Sequence, residues 1–286
     1  MSLGILVSGN LGYVVLKHLF ENYIITFVMT DKRSSLIIDF CKINEIEIFE
    51  GNPRKELAYD FFSKQKIEIL LSVNYLFLIE KDLIQLPVKM AFNIHGSLLP
   101  KYRGRTPHVW AIINNEKQTG ITAHLIDEGC DTGHILDQVL VEILESDTGN
   151  DLLQKFNKLY IPLIDNVLEG IMNNSLTVTP QNNQIATFFG KRIAEDGKIN
   201  WDWHKERIRN WIRAQAYPYP GAFTFYNKEK IIIDEIEFVD YRYNQEILNG
   251  TILSTFPLII KTPNGPVLVK KIRNKSLNLE KLKKFE

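Results

Sequence analysis

Short, almost uniformly apolar runs alternate with longer segments of mixed polarity through the first half of the chain. "GILVSGN", "YIITFVMTD", "IEIFEG", "IEILLSV" and "MAFNIH" read as strands, several of them apolar enough to be buried on both faces. Between the first of these lie "LGYVVLKHLFEN" and "SSLIIDFCKINE", whose apolar positions recur at helical spacing; in the former, Leu11, Val14, Val15, His18 and Leu19 fall near one face. Strands separated by helix-length segments predict an α/β fold with a mainly parallel, Rossmann-like sheet covered by helices on both faces. Such sheets bind ligands beyond the carboxyl ends of their strands. His95 closes one of the apolar runs and is expected at such an end.

Further along, "TGITAHLID" and "GHILDQVLVEI" read as strands and "NDLLQKFNKLYIPLIDNVLEGIMNN" as a long helix. The polar stretch "TVTPQNNQIATFFGKR" reads as a connector. A shorter helix, "HKERIRNWIRAQ", is ended by "YPYPGAF". The remainder alternates strand-like runs ("FTFYN", "KIIIDEIEFVD", "GTILSTF", "LIIKTP", "VLVKKIR") with turns such as "PNGP". The pattern therefore predicts a catalytic domain over 1–188 and a smaller, β-rich domain over 189–286, without internal repeats.

Bulk composition narrows the function classes. The 286 residues leave room for two domains, and 34 Lys+Arg balance 34 Asp+Glu, so no global electrostatic pull toward nucleic acid exists. Cys41 and Cys130 are too few for a disulfide framework and lack metal-ligand spacing. "MSLGILVSGN" has no signal-peptide pattern, and no run approaches the ~20 apolar residues of a membrane span. A soluble, cytoplasmic protein without a metal is expected.

The candidate chemistry sits in "FNIHGSLLPKYRGRTP" and "DEGCDTGH". A neutral imidazole accepts a proton from an amine near neutrality, and a carboxylate that fixes its tautomer and stabilises the imidazolium improves it. Asn93, His95 and Asp131 supply an oxyanion donor, a base and its orienting carboxylate for acyl transfer to an amine. Gly129 and Gly133 let the backbone around Asp131 pack closely. Other features read as structural. Gly9 and Gly12 lack the G-x-G-x-x-G spacing, so the first turn is a tight strand-to-helix connection, and NAD is not expected even with Asp31 ending the next strand. His108, His124 and His134 show no zinc-ligand spacing. Ser97 lacks a G-x-S-x-G context, Cys130 lies beside an anion that disfavours its thiolate, and the basic tail "KKIRNKSLNLEKLKKFE" reads as a solvated face.

With these residues in view, the chain resembles the 10-formyltetrahydrofolate-dependent formyltransferases. "FNIHGSLLPKYRG" matches their N-x-H-x-S-L-L-P loop, and "IDEGCDTGHIL" their D-x-G-x-D-T-G loop. "FFGKRIAEDGKINW" and "IRNWIRAQAYPYPGAF" look like the linker and the start of a C-terminal domain of OB-like form. The resemblance implies that Asn93, His95 and Asp131 are the catalytic triad. It also implies that folate lies along "LLSVNYLFLIEKDLI", with Asn74, Tyr75 and Phe77 as contacts.

Within the family, the loop "HGSLLPKYRGRTPHVW" is similar to that of the aminoarabinose-pathway formyltransferase domain, which acts on a UDP-linked amino sugar. Arg103, Arg105 and Arg192 are the expected substrate contacts, since guanidinium groups bind pyrophosphate oxygens in bidentate fashion. The expected partner is a UDP- or dTDP-linked amino sugar destined for a surface glycan such as lipopolysaccharide O-antigen, not nucleic acid or membrane. A methionyl-tRNA formyltransferase is the alternative, and a silent module that binds folate or nucleotide sugar is a second. The sequence leaves a homodimer open.

Overall fold

The elements are β1 (Ser2–Val7), α1 (Gly9–Asn22), β2 (Ile24–Thr30), α2 (Ser35–Ile43), β3 (Glu47–Glu50), α3 (Tyr59–Phe62), β4 (Ile69–Val73), α4 (Lys81–Ile84), β5 (Met90–His95), β6 (Arg103–Gly104), α5 (Pro107–Ile113), β7 (Gln118–Leu125), β8 (Ile135–Glu142), α6 (Gly149–Met172), β9 (Phe188–Phe189), α7 (Lys205–Ala214), β10 (Ala222–Tyr226), β11 (Glu229–Phe238), β12 (Ile252–Thr255), β13 (Leu258–Ile260) and β14 (Val267–Ile272). This computed structural model describes residues 1–54, 57–273 and 279–286, so part of the basic tail lies outside the described residues. The chain forms two compact units. One comprises 1–104, 120–141 and 155–188, and the other 105–119, 142–154 and 189–286.

A seven-stranded sheet of order β3-β2-β1-β4-β5-β7-β8 carries the first unit. β3, β2, β1, β4 and β5 pair in parallel, and β7 joins β5 antiparallel. The uniform runs of the sequence are the central strands: Leu3, Ile5, Leu6 and Val7 of β1 and Ile69, Leu70, Leu71 and Val73 of β4 are fully buried. The helices rest on this sheet with a slightly different face from the one expected. In α1 it is Gly12, Val15, Leu16 and Leu19 that are buried, while Val14 is exposed. Gly12 turns the helix this way, because a Cβ there would come within 2.9 Å of the Val7 Cβ.

The second unit is built on an antiparallel sheet of order β10-β11-β14-β13-β12. Its two edges are joined by the end of the chain. Leu282 N donates to Ile252 O, Ile252 N to Lys283 O, and Phe285 N to Gly250 O, whereas Phe225 and Glu286 exchange both backbone bonds. The last residues thus bridge β12 and β10 and close the ring, as an OB-like barrel requires. Phe285 plugs it, stacked on Trp201 at 5.7 Å and edge-on to Tyr226 at 6.0 Å.

Helix α5 was not expected, since its residues read as loop. Pro107 starts it at a position that needs no backbone N–H; it packs on α7, and just beyond its end Asn115 accepts from Asn210 Nδ2 at 3.1 Å. No helix among the described residues is long and apolar enough to cross a membrane.

Candidate active site

β5 ends in two polar side chains on alternate positions, Asn93 and His95, both facing β7. The antiparallel register sets Asn93 opposite His124 and His95 opposite Thr122. Beyond His95 the chain makes a tight return through residues 96–104, with left-handed turns at Tyr102 (φ 60°) and Gly104 (φ 100°). Thr122 pins the start of this loop. Its hydroxyl donates to Ser97 O at 2.6 Å and accepts from Leu99 N at 3.2 Å and from Gln138 Nε2 at 2.8 Å.

The returning backbone orients both members of the expected acid–base pair. Tyr102 O accepts from His95 Nε2 at 2.8 Å, and Gly104 N donates to Asp131 Oδ2 at 2.8 Å. A neutral His95 that satisfies a carbonyl carries its proton on Nε2 and leaves Nδ1 as the proton acceptor. Nδ1 faces Asp131 Oδ1 across 3.5 Å, too long for a good hydrogen bond but close for two opposite charges. The tautomer is thus set by the Tyr102 carbonyl rather than by the carboxylate, which differs from the sequence expectation. Asp131 acts on the ring through its field.

Burial shifts both groups. His95 is 7% exposed, and desolvation lowers its pKa below the ordinary imidazole value although Asp131 and the Tyr102 carbonyl pull it upward. For Asp131 burial alone would raise the pKa, but His95, His124 and the Gly104 N–H hold it well below the usual carboxylate range. At neutral pH the site therefore pairs an unprotonated imidazole with an ionised carboxylate.

His124 is the residue that sequence reasoning dismissed. It is 3% exposed. Its Nδ1 lies 2.8 Å from Leu125 O, so Nδ1 carries the proton and donates. In that tautomer Nε2 accepts from Asn93 Nδ2 at 3.1 Å. This bond fixes which end of the Asn93 amide is nitrogen and leaves that nitrogen a second N–H for another acceptor. The same Nε2 lies 3.6 Å from Asp131 Oδ1. The available signal was alternation: in the second half of β7, Thr122 and His124 are polar while Ile121, Ala123 and Leu125 are apolar.

Asp131 itself sits at φ 55°, an uncommon conformation for a residue with a side chain. The flanking glycines make room for it. A Cβ on Gly133 would fall 1.8 Å from Leu125 O, and one on Gly129 2.0 Å from Thr132 Oγ1. Asp127 Oδ1 ties the turn by accepting from Gly129 N at 3.1 Å and Thr132 Oγ1 at 2.6 Å.

A family model described as "Formyl transferase" matches residues 7–167, and one described as "Formyl transferase, C-terminal domain" matches residues 192–285. The chain belongs to the formyl transferase family. It is 38% identical over 203 residues to the bifunctional polymyxin resistance protein ArnA of Wigglesworthia glossinidia brevipalpis, covering 70% of this chain and 30% of that relative's length. Among solved structures it is similar to WlaRD, a sugar 3N-formyl transferase in the presence of dTDP and 5-N-formyl-THF. The TM-score is 0.71 at 26% identity, over 96% of this chain and 99% of that one. The fold is shared with an N-formyltransferase from Helicobacter canadensis in complex with folinic acid and dTDP-3-aminofucose, with a TM-score of 0.73 at 24% identity over 95% and 99% of the chains.

The remaining residues singled out in this formyl transferase fall in several places. At the carboxyl end of β4, Asn74 turns the chain at φ 54° and donates from Nδ2 to Ser8 O at 3.0 Å. Tyr75 and Phe77 turn inward, edge to face at 5.4 Å, while Leu76 and Leu78 are exposed. The buried Tyr75 hydroxyl has no partner among the described residues, and burial with the nearby Asp31 raises its pKa. The exposed Leu76 and Leu78 offer an apolar strip suited to the face of a flat ring system. Asp31 is occupied locally, accepting from Arg33 N at 2.9 Å and Ser34 Oγ at 2.6 Å.

Arg103, expected to meet substrate, is instead 2% exposed. Its guanidinium donates to Gln181 Oε1 from Nε at 3.1 Å and from Nη2 at 2.6 Å, and to Asn183 Oδ1 at 2.8 Å. A residue on a loop between two elements is drawn inward because the connector supplies these acceptors. Arg105 and Arg192 belong to the second unit. Arg105 is exposed and bonded through its backbone N–H to Phe189 O at 2.9 Å. Arg192 is held between Trp110 and Trp211, its Cζ 5.0 and 4.4 Å from the ring centroids, and burial lowers its pKa. His108, buried in α5, bonds to Tyr219 Oη at 2.8 Å.

Proposed function

We propose that the chain is an N-formyltransferase that moves the formyl group of 10-formyltetrahydrofolate to the amine of a UDP- or dTDP-linked amino sugar, in the synthesis of a bacterial surface glycan. The observation that carries this reading is the convergence of Asn93, His124, His95 and Asp131 at the end of β5. 10-Formyltetrahydrofolate supplies an activated formyl carbon. His95 Nδ1 takes the proton from the attacking amine as the new C–N bond forms, and Asp131 stabilises the imidazolium that results. That proton passes to N10 of tetrahydrofolate as its bond to the formyl carbon breaks. Asn93, its amide oriented by His124, directs its second N–H to the developing oxyanion. The folate ring system is received at the carboxyl end of β4, beside Asn74 and the exposed Leu76 and Leu78; in the second unit, Arg105 and Arg192 are the guanidinium groups suited to a pyrophosphate.

A nucleotide sugar is favoured over tRNA as acceptor by the balance of 34 basic and 34 acidic residues, because tRNA binding relies on an excess of cations that displace counterions. The likeness to a sugar 3N-formyl transferase supports the same choice. The test is calorimetric titration of the protein with UDP, dTDP and tRNA, with and without 5-formyltetrahydrofolate. Saturable binding of one nucleotide supports the reading. Tight, salt-dependent tRNA binding with both nucleotides ignored would overturn the sugar acceptor. Replacing His95 by alanine is expected to lower formyl transfer by about 10²–10⁴-fold in a folded protein, and unchanged turnover would remove the acid–base assignment.

A further inference from the structure

Asp131 is gripped from two sides, and only one grip comes from the loop that carries His95. The Gly104 N–H holds its carboxylate. Its backbone is held by Gln181, a residue of the connector fifty positions further along the chain. Gln181 Nε2 donates to Asp131 O at 2.9 Å and to Gly133 O at 2.6 Å. Its Oε1 accepts both bonds from Arg103. A buried guanidinium on one side and two carbonyls on the other allow a single orientation of this amide. The connector also binds the other side of the site, since Tyr102 N donates to Thr187 Oγ1 at 2.8 Å and Arg103 N to Thr187 O at 2.9 Å.

We propose that Arg103 and Gln181 are positioning residues: together they clamp the left-handed backbone at Asp131 so that its carboxylate stays against His95 Nδ1. The proposal rests on the formyl-transfer reading only for what Asp131 is needed for. Arg103 fixes the amide, the amide fixes the two carbonyls that bracket Thr132, and the carboxylate is left where Gly104 N can hold it. Neither residue touches a reacting atom. Among the described residues, the ionisable groups facing His95 are Asp131 from its loop and His124 from β7. The Cys130 thiol lies 3.5 Å from the other Asp131 oxygen.

The clamp is tested without any substrate, by NMR titration of imidazole-labelled protein with the His95 signal assigned from its loss in His95→Ala. Gln181→Glu is the informative variant. It keeps the size and the attraction to Arg103 but sets a carboxylate oxygen against the carbonyls of Asp131 and Gly133. Gln181→Ala is the second. Retreat of Asp131 from 3.5 Å to about 5 Å weakens its support of the imidazolium, and the His95 midpoint is expected to fall by about one pH unit. That fall should be in the direction seen with Asp131→Asn and smaller than it, with Gln181→Glu melting near the parent. An unmoved midpoint in both Gln181 variants, while Asp131→Asn moves it, overturns the clamp. An unmoved midpoint in Asp131→Asn overturns the clamp and the proposed role of Asp131 together. Shifted midpoints in a protein that formylates no nucleotide-linked amino sugar would support the clamp and defeat the acceptor assignment alone.

Discussion

Gly133→Ala is a small change with a large expected consequence. The added Cβ would lie 1.8 Å from Leu125 O and 2.6 Å from Leu125 C, both backbone atoms. Recovering 3.0 Å requires a separation of about 1.2 Å, the difference between 3.0 and 1.8 Å. Leu125 cannot supply it cheaply, because its oxygen accepts from His124 Nδ1 and its nitrogen donates to His134 O at 2.8 Å. The loop holding Asp131 must therefore move, and Gly133 O must stretch its 2.6 Å bond from Gln181. A misplacement of about 1 Å in a catalytic constellation costs on the order of 10²-fold in rate, equivalent to about 2.7 kcal/mol. Overpacking should take a further ~1–3 kcal/mol from stability. Steady-state formyl transfer and thermal melting, read on the same preparation, separate the two effects. Gly190→Ala is the control, since nothing lies within 4 Å of its added Cβ, and it should be neutral or stabilising by about 0.4–1 kcal/mol. A Gly133→Ala protein with parental kcat and melting temperature would refute the reasoning, because it would show that the loop accommodates the methyl group without disturbing the carboxylate.

The His95 pKa lies below 6.5, so the base remains free at neutrality; kcat/KM should be flat there and fall only on the acid side of pH 6.5, and an acid limb above that value would contradict the site. His108, lowered by burial to about 4, is more easily protonated in the unfolded chain. Its contribution is complete above pH 6.5 and is lost as pH falls from 6.5 towards 4, a change of about 3 kcal/mol. Denaturant midpoints across that window should show the loss, and His108→Gln should flatten it. Phe285→Ala opens a cavity beside Trp201 and Tyr226 and should cost about 3–5 kcal/mol, visible as an early melting transition of the second unit; unchanged melting would mean that the end of the chain does not seal the barrel.

Much of this architecture is legible in the sequence where burial leaves a simple pattern. Strands β1 and β4 lie inside the sheet with both faces covered, so they read as almost unbroken apolar runs. Asn93, His95 and Asp131 interrupt apolar or glycine-bracketed stretches with chemistry that no core needs, and the fold brings them together. What escaped the sequence depends on partners distant along the chain. His124 looks like any strand histidine until the register sets it opposite Asn93. Arg103 has the appearance of a loop cation, yet Gln181 and Asn183 draw it inward. Residues 105–119 and 142–154 pack with the second unit through partners equally distant along the chain, such as Arg213, whose Nη1 donates to Leu144 O at 3.0 Å and to Asp147 O at 2.6 Å.

The return loop after β5 has a consequence for how this enzyme family can diversify. Its two bonds to the site come from a carbonyl at Tyr102 and an N–H at Gly104, groups that every genetic code word except proline supplies at the amide. Point substitution at positions other than Arg103, whose side chain holds Gln181, can therefore alter what the loop displays without deleting these two bonds, provided the left-handed turns survive. Proton-transfer geometry and the surface offered to the acceptor are then inherited separately. On the proposed chemistry, a lineage could explore new amine acceptors one side chain at a time, each intermediate retaining its base.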